Sequence, residues 1–369
     1  MGLAFLFFFL LIADQAAAFD SIGISVVDAN GTRRFRIGIE LVAHLNAKAK
    51  NFHARHYHRF NNRSVEELRG FLGSLRPPTG AIPPNAFVTD ENEELDEEFD
   101  GSSAWGTSGG AAAKSGRLAA APIASAFDAR TKWPKCRGVI GRIHDQSLCG
   151  GCWAIASAAV ITDRRCFRFN GTWTRDLSAW DLISCCKACT PYANGCQGGW
   201  PNSAFAFFDH AGVVTGGPFG GGGCRPYAVH PEAAQQPKQT TCSRKCQAGY
   251  SREYARDKRR GRSFRVFRNR NAAVQREIAR NGPVVATFDV YQDFYHYENG
   301  VYEHKAGALV GGHAVKVVGW GQTPDGIPYW TAVNSWGSDW GEGGTFRIRR
   351  GADESNFESF IDSGNVHVD

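Results

Sequence analysis

The sequence predicts an α+β protein made of two lobes with a cleft between them. Apolar residues recur at helical spacing between Cys152 and Cys166, whereas from Gly282 onward they fall in short runs broken by glycines, as in strands. A helical first half followed by a strand-rich second half favours two packed units. With 369 residues, 43% of them hydrophobic, the chain can bury both and still carry accessory segments. The predicted strands are Pro283–Val290, Gly312–Trp320, Tyr329–Ser335 and Thr345–Ile348.

The first residues resemble an export signal. Gly2 to Leu11 form a short apolar run, and three alanines end at Ala18. The run is too short to span a bilayer, so we expect a secretory signal peptide over residues 1–18, with a buried apolar segment as the alternative. Three N-glycosylation sequons agree with export, and they lie at Asn30, Asn62 and Asn170.

Composition divides the chain near residue 123. Residues 1–122 hold 12 basic and 14 acidic residues and the remainder holds 30 and 22, so the net charges are −2 and +8. We expect an inhibitory prosegment over 19–122 and a functional body over 123–369. A negative leading segment on a positive body is electrostatically favourable, although two separately solvated surfaces would give the same counts.

The leading part has its own internal pattern. Helices are predicted over Glu40–Lys50 and Ser64–Leu75, the second opened by a capping box and ended by Pro77-Pro78. An acidic run from Asp90 to Asp100 and a small-residue tract from Gly101 to Ala121 follow. Such a tract cannot build a core and is typical of an exposed linker, where proteolytic processing near Pro122–Ile123 would release the body.

The chain has 11 cysteines, none of them before Cys136. An odd number in an exported protein suggests five disulfides and one free thiol. Cys152 is the candidate for that thiol, because it stands after two glycines where the helical pattern begins. A helix N-terminus lowers a thiol pKa and so favours the nucleophilic thiolate. The alternatives are that Cys149 and Cys152 form a redox pair or half of a zinc site, but a zinc site needs a second ligand pair.

A thiol nucleophile needs a base and a group that orients the base. His313 follows two glycines and precedes a buried apolar run, and Asn334 stands in the triplet Asn334-Ser335-Trp336. The histidines at 53, 56 and 58 lie in the predicted prosegment and are excluded as catalytic groups of the body.

These motifs resemble the papain family of cysteine peptidases, and within it the cathepsin B-like group. The resemblance runs from Phe127 to about Gly364, and the leading part from about Leu41 to Leu75 resembles the short prosegment of that group. The motifs that carry it are Gln146 with Cys152-Trp153, Gly195-Cys196-Gln197-Gly198-Gly199, Gly311-Gly312-His313-Ala314 and Asn334-Ser335-Trp336.

The resemblance implies a papain-like fold, with a helical left lobe, a β-barrel-like right lobe and the active site between them. It implies Cys152 as nucleophile, His313 as general base and acid, and Asn334 as the orienting residue. Gln146 would supply an oxyanion-hole donor. Three further residues would bind substrate, Gly198 and Gly199 along its backbone and Trp336 under its primed side. The implied disulfides are Cys136–Cys166, Cys149–Cys196, Cys185–Cys242, Cys186–Cys189 and Cys224–Cys246, which leave Cys152 unpaired.

The sequence departs from the family pattern at the occluding loop and at the S2 pocket. Between Cys224 and Cys242 the chain is shorter than in that group and lacks two cysteines and a histidine pair; only His230 remains. We therefore expect weak or absent dipeptidyl carboxypeptidase activity. Phe360 aligns with the acidic residue at the base of the S2 pocket, which predicts that a basic P2 residue is disfavoured and an aliphatic one preferred.

The sequence thus predicts a cysteine endopeptidase made as a zymogen, with polypeptide substrates, its own propeptide as inhibitor and no metal or cofactor. Cystatin-like inhibitors, a monomeric state and a lysosome-like, vacuolar or secreted location follow from the resemblance; nucleic acid and a membrane span are not expected. The alternatives are a catalytically silent cathepsin B-like matrix or adhesion protein and a redox or metal-binding module. A run of eight arginines and one lysine over Arg252–Arg270 is interpreted as a solvated face, with polyanion binding as the alternative.

Overall fold

The computed structural model describes residues 25–27, 33–35, 39–60, 63, 65–76, 86–88 and 122–366. The predicted signal peptide, the acidic run, the small-residue tract and the sequons at Asn30 and Asn62 lie outside these residues. In the part of the chain that is described, no helix is long and apolar enough to cross a membrane.

The longest helix, α5 (Cys152–Arg168), is buried on nearly every side. It is rich in alanine and small residues, so neighbouring elements can pack closely around it. The helix predicted over Cys152–Cys166 thus extends slightly further. The other helices in the described residues are α1 (Ile39–Lys48), α2 (Val65–Arg69), α3 (Ala129–Lys132), α4 (Arg137–Ile140), α6 (Ala179–Cys185), α7 (Pro201–His210), α8 (Tyr254–Asp257) and α9 (Asn271–Asn281).

The described strands form one ten-stranded sheet and two small pairs. The strands are β1 (Ser25–Val27), β2 (Arg33–Phe35), β3 (Phe52–Ala54), β4 (Ala86–Val88), β5 (Phe127–Asp128), β6 (Asp176–Leu177), β7 (Thr215–Gly216), β8 (Gly261–Phe267), β9 (Val284–Tyr291), β10 (Tyr297–Tyr302), β11 (Leu309–Gln322), β12 (Pro328–Val333), β13 (Thr345–Arg349) and β14 (Ile361–Val366). The large sheet has the order β3-β10-β13-β12-β11-β9-β14-β8-β4, with β5 on β11. The four predicted strands of the second half are β9, β11, β12 and β13.

This order does not close into a barrel. Its two edges are β3 and β4, which come from the leading part of the chain and pair with β10 and β8. The predicted α+β class is confirmed, and among the described strands the lobe expected to be barrel-like is an open sheet with leading-part strands at both edges.

Each lobe has its own large apolar core. One surrounds α5, α6 and α7, and the other lies on the sheet around β9, β11 and β12. Leu41, Leu45, Phe60 and Phe71 of the leading part are buried in the sheet core. The leading part thus packs mainly on the sheet lobe, and its chain then turns into the cleft between the lobes.

The helix predicted over Ser64–Leu75 is wrong in its second half. Helix α2 ends at Arg69, and an isolated parallel bridge pairs Ser74 with Gly199. Gly73 and Ser74 donate their N–H groups to Gly312 O at 3.0 and 3.1 Å. A helix over these residues would use those donors internally, whereas the cleft supplies acceptors from both lobes. The first predicted helix, over Glu40–Lys50, corresponds to α1.

Disulfides tie the helical lobe together. The structure joins Cys136–Cys166, Cys149–Cys196, Cys185–Cys242, Cys186–Cys189 and Cys224–Cys246, the same pairs that the resemblance implied. Cys152 is the free cysteine. Cys149–Cys196 has the most direct bearing on the cleft, because it fixes the loop that precedes α5 against the segment before Gly198 and Gly199.

Candidate active site

Cys152 is the first residue of α5 and is fully buried. Burial raises the pKa of its thiol from 9.0 to about 12, although the N–H groups of Ala314, Trp153, Gly73 and Cys152 itself approach the sulfur and oppose this rise. Three of these donors belong to the body, at the helix N-terminus and on β11. The fourth, Gly73, belongs to the leading segment.

His313 lies near the start of β11, one residue before the Ala314 amide that approaches the Cys152 sulfur. Its ring lies 4.9 Å from the Trp336 ring and 5.9 Å from the Phe288 ring, measured between centroids. Burial lowers the pKa of His313 to about 4, with the Asn334 hydrogen bond acting in the opposite direction. The imidazole is therefore neutral in this state.

The hydrogen bonds of Asn334 determine the tautomer of His313. Asn334 Oδ1 accepts the backbone N–H of Ser335 at 2.8 Å, which identifies that atom as the amide oxygen. The same oxygen lies 2.8 Å from His313 Nε2, so Nε2 carries a proton and donates it to this bond. His313 Nδ1 has no hydrogen-bond partner among the described residues and keeps its lone pair. This nitrogen is available to take a proton.

Gln146 is fully buried between the two lobes. Its Oε1 accepts from Ser335 Oγ at 2.6 Å, which leaves Nε2 as the donor. Nε2 donates to Phe71 O at 3.0 Å and to Cys149 O at 2.9 Å. Trp336 Nε1 also donates to Phe71 O, at 3.0 Å. A backbone carbonyl of the leading segment thus occupies the donors that the sequence predicts for an oxyanion and for the primed side.

Gly199 pairs with extended backbone in the cleft. Its N–H donates to Gly73 O at 2.9 Å, and its carbonyl accepts from Leu75 N at 3.0 Å. Gly198 has a φ of 124°, a conformation that favours glycine. Gly198 and Gly199, which the sequence predicts to bind a substrate backbone, therefore bind the leading segment in this structure.

The glycines before His313 lie on the opposite wall of the cleft, and they let the leading segment approach that wall closely as well. A Cβ atom at Gly312 would lie 2.2 Å from Ser74 O. Any side chain at this position would push the bound backbone away from the sheet lobe. The glycine pair thus has a steric role beside the histidine.

Phe360 lies at the far end of this wall and is half-buried. Its carbonyl accepts from Thr287 N at 2.8 Å, and Thr287 Oγ1 lies 2.8 Å from Ser74 Oγ. Arg76 extends over the Phe360 ring, with its guanidinium carbon 5.5 Å from the centroid, and pairs with Asp289. Sequence reasoning missed Asp289. Its position as the one charged residue of the predicted strand Pro283–Val290 was the available signal.

The shortened loop lies beside the cleft and is anchored to the helical lobe. Asn194 Nδ2 donates to Pro237 O at 2.5 Å, and Gly195 N donates to Thr240 Oγ1 at 2.9 Å. His230 is exposed, and its ring lies 4.9 Å from that of Phe219. Its Nδ1 accepts from Glu232 N at 3.1 Å. Asn170 is exposed, as a glycosylation acceptor must be.

Comparison with known proteins identifies this arrangement. A family model described as "Papain family cysteine protease" matches residues 123–364. The chain belongs to the papain family of cysteine proteases. A gut-specific cysteine proteinase of Caenorhabditis elegans is 43% identical to it over 290 residues, 76% of this chain and 87% of the relative. Cathepsin B-like cysteine proteinase 1 of Ostertagia ostertagi is 43% identical over 256 residues, 66% of this chain and 73% of the relative.

Solved structures of proenzymes agree with the family assignment and with a zymogen state for this chain. Procathepsin B S9 from Trypanosoma congolense has 31% sequence identity and a TM-score of 0.71, covering 90% of this papain-family chain and 99% of its own. Procathepsin L2 of Tenebrio molitor larval midgut, at 22% identity and a TM-score of 0.64 over 89% and 90% of the two chains, shares the fold. This cysteine protease is cathepsin B-like and has the fold of a zymogen. Its substrates are polypeptides, and its leading segment is an intramolecular inhibitor, which we call the prosegment.

Proposed function

We propose that the protein is a cysteine endopeptidase in which Cys152 is the nucleophile and His313 the general base and acid. The observation that carries this proposal is the position of the unpaired sulfur. It receives N–H groups from the start of α5 and from Ala314. The residue before Ala314 is His313, whose Nδ1 has no hydrogen-bond partner among the described residues. The bond from Nε2 to Asn334 keeps the imidazole in the tautomer that can accept the thiol proton.

Catalysis begins when the Cys152 proton moves to His313 Nδ1. The thiolate attacks the substrate carbonyl carbon, and the oxyanion accepts hydrogen bonds from Gln146 Nε2 and from the Cys152 amide. The imidazolium then gives its proton to the leaving amine, and a thioester remains on Cys152. A water deprotonated by His313 hydrolyses the thioester and restores the thiol.

The zymogen geometry supports these roles by the groups that it blocks. Phe71 O occupies the Gln146 donor, and Gly73 of the prosegment lies against the buried sulfur of Cys152. The prosegment therefore covers both the nucleophile and the donor. Processing near Pro122–Ile123 would expose the whole set, which is consistent with a prosegment over 19–122 and a catalytic body over 123–369.

We further propose that exopeptidase activity is weak or absent. A dipeptidyl carboxypeptidase needs cationic or donor groups that hold the substrate's terminal carboxylate. In the shortened loop His230 is the one histidine, where the cathepsin B-like group has a pair, so one of the two groups expected for this role is missing. If one peptide is supplied with a free and with an amidated C-terminus, we expect the same internal cleavage products. Dipeptide release that amidation abolishes would contradict this proposal.

The remaining proposals concern the setting of the enzyme. The five disulfides favour an oxidising route, so we propose a signal peptide over residues 1–18 and a lysosome-like, vacuolar or secreted destination. The open cleft of the processed monomer would also be the surface for cystatin-like inhibitors.

Labelling by the epoxysuccinyl inhibitor E-64 tests the central proposal. We expect the processed enzyme to take one equivalent and the Cys152→Ala variant to take none, with hydrolysis of a fluorogenic peptide lost in parallel. A correctly folded, processed protein that neither binds E-64 nor cleaves any peptide would instead support the catalytically silent matrix or adhesion protein. Thermal unfolding of both variants is the control for folding.

A further inference from the structure

The prosegment places an arginine in the cleft where the S2 wall lies. Ser74 is bridged to Gly199, and its hydroxyl lies against Thr287. Because side chains alternate along extended backbone, Arg76 points to the same side as Ser74 and reaches the end of that wall. Its Nη2 lies 2.5 Å from Asp289 Oδ2, and its carbonyl accepts from Trp200 Nε1 at 3.2 Å.

The acceptor for this arginine is held in place before any ligand arrives. Asp289 lies on β9 with only 9% of its surface exposed. Asn356 Nδ2 donates to Asp289 Oδ2 at 2.7 Å. That bond comes from the body, not from the prosegment, so it persists when the prosegment leaves. A fixed carboxylate then faces the cleft without its guanidinium partner.

Phe360 adds a second feature that suits a cation. The guanidinium carbon of Arg76 lies 5.5 Å from its ring centroid, within the range of a cation–π contact. Another arginine of the body, Arg268, lies 5.0 Å from the same ring and would repel a ligand cation. Arg268 Nη1, however, is 3.6 Å from Asp362 Oδ1, so its charge is paired within the body.

We propose that Asp289, held by Asn356 and flanked by Phe360, is the acidic group of the S2 side of the cleft and accepts a basic substrate side chain there. This inference rests on the proposed endopeptidase function. It revises the sequence-based expectation that Phe360 makes the subsite purely apolar, because β9, which is bonded to Phe360 through Thr287, supplies a carboxylate on the same wall. Arg76 of the prosegment occupies the position of that substrate side chain.

The test compares P2 arginine with P2 leucine in two fluorogenic dipeptides that share arginine at P1. For the Asp289→Asn variant we expect kcat/KM on the P2-arginine peptide to fall about three- to tenfold, the range expected for losing one partly exposed charge pair. The value for the P2-leucine peptide should change little. Asp289→Glu should keep part of the preference, and Asp325→Asn, an exposed carboxylate on the turn between β11 and β12, is the matched control.

The outcomes separate this proposal from the proposed function. E-64 titration first gives the concentration of active enzyme in each variant. If the wild-type enzyme binds E-64 and cleaves the P2-leucine peptide, the proposed function stands. Against that background, an unchanged ratio of the two kcat/KM values in Asp289→Asn overturns the assignment of Asp289. An equal fall on both peptides would overturn it too, since it would show that Asp289 supports the fold of the cleft and not its specificity.

Discussion

The zymogen should protect Cys152 from alkylation chiefly by keeping its thiol protonated. Burial raises the thiol pKa from 9.0 to about 12, which corresponds to ~4 kcal/mol against the thiolate. At pH 7 the thiolate fraction is then on the order of 10⁻⁵, about a thousandfold below that of a thiol with the ordinary pKa. His313, with its pKa lowered to about 4, is neutral as well.

The experiment compares the zymogen with the enzyme from which the prosegment has been removed. Removal takes away the cover and one N–H donor, from Gly73, but leaves the donors of Cys152, Trp153 and Ala314. The thiol pKa should therefore fall below its zymogen value. We expect iodoacetamide to alkylate the processed enzyme faster at pH 7, by about a thousandfold for a thiol that has returned to the ordinary pKa of 9.0.

Intact mass spectrometry without reductant measures this reaction cleanly, because Cys152 is the free cysteine and any single adduct reports on it. The Cys152→Ser variant is the control and should gain no mass. Equal alkylation rates for zymogen and processed enzyme across pH 6–8 would refute the reasoning. They would mean that the prosegment neither covers the sulfur nor changes its ionisation.

Three other predictions concern Gln146, the prosegment and three histidines whose pKa values are lowered. Gln146→Ala should lower kcat about 10²–10³-fold while E-64 titration still finds Cys152, because the variant loses the proposed oxyanion donor and keeps the proposed nucleophile. Arg59→Ala should speed alkylation of Cys152 in the zymogen, since Arg59 Nη2 lies 3.0 Å from Asp145 Oδ1 and holds the prosegment to the body; an unchanged rate would contradict this role. The zymogen should lose thermal stability as the pH falls from 6.5 to 4. Desolvation lowers the pKa of three histidines from 6.5 to about 4, so in that window only the unfolded state takes up their protons. Each histidine then lowers the free energy of unfolding by ~3 kcal/mol. These histidines are His144, His296 and His313. Two carboxyls offset part of the loss, because burial raises the pKa of Asp163 and Asp362 to about 6, so a Tm that rises on acidification would contradict the balance expected.

The sequence predicted the elements that have a strong local pattern. Helix α5 and the four strands of the second half follow from the spacing of their apolar residues, and their ends differ from the prediction by a few residues. The free cysteine followed from an odd count. The loss of helix beyond Arg69 could not be predicted in this way, because Ser74 is extended by partners on Gly199 and Gly312, more than a hundred residues away.

The S2 wall shows a second limit of sequence reasoning. An alignment compares each position with the same position of relatives, so it recorded the missing acid at Phe360. It could not show that Asp289, on a neighbouring strand, pairs with Arg76, whose guanidinium lies over the Phe360 ring. Only the register of β9 against β11, which pairs Asp289 with Gly312, places that side chain at the cleft.

The charges of the prosegment show why net charge was a poor guide to its binding. The leading part is negative as a whole, yet residues 39–76, which include the segment in the cleft, hold seven basic and three acidic residues. The ion pairs across the interface accordingly run from prosegment arginines to body carboxylates: Arg55 to Glu298, and, at the cleft, Arg59 to Asp145 and Arg76 to Asp289. The acidic excess is over residues 90–100, which follow this segment in the sequence. When the prosegment leaves, two carboxylates of a positively charged body remain at the cleft without their cations, and that local charge, not the net +8, is what a substrate side chain meets.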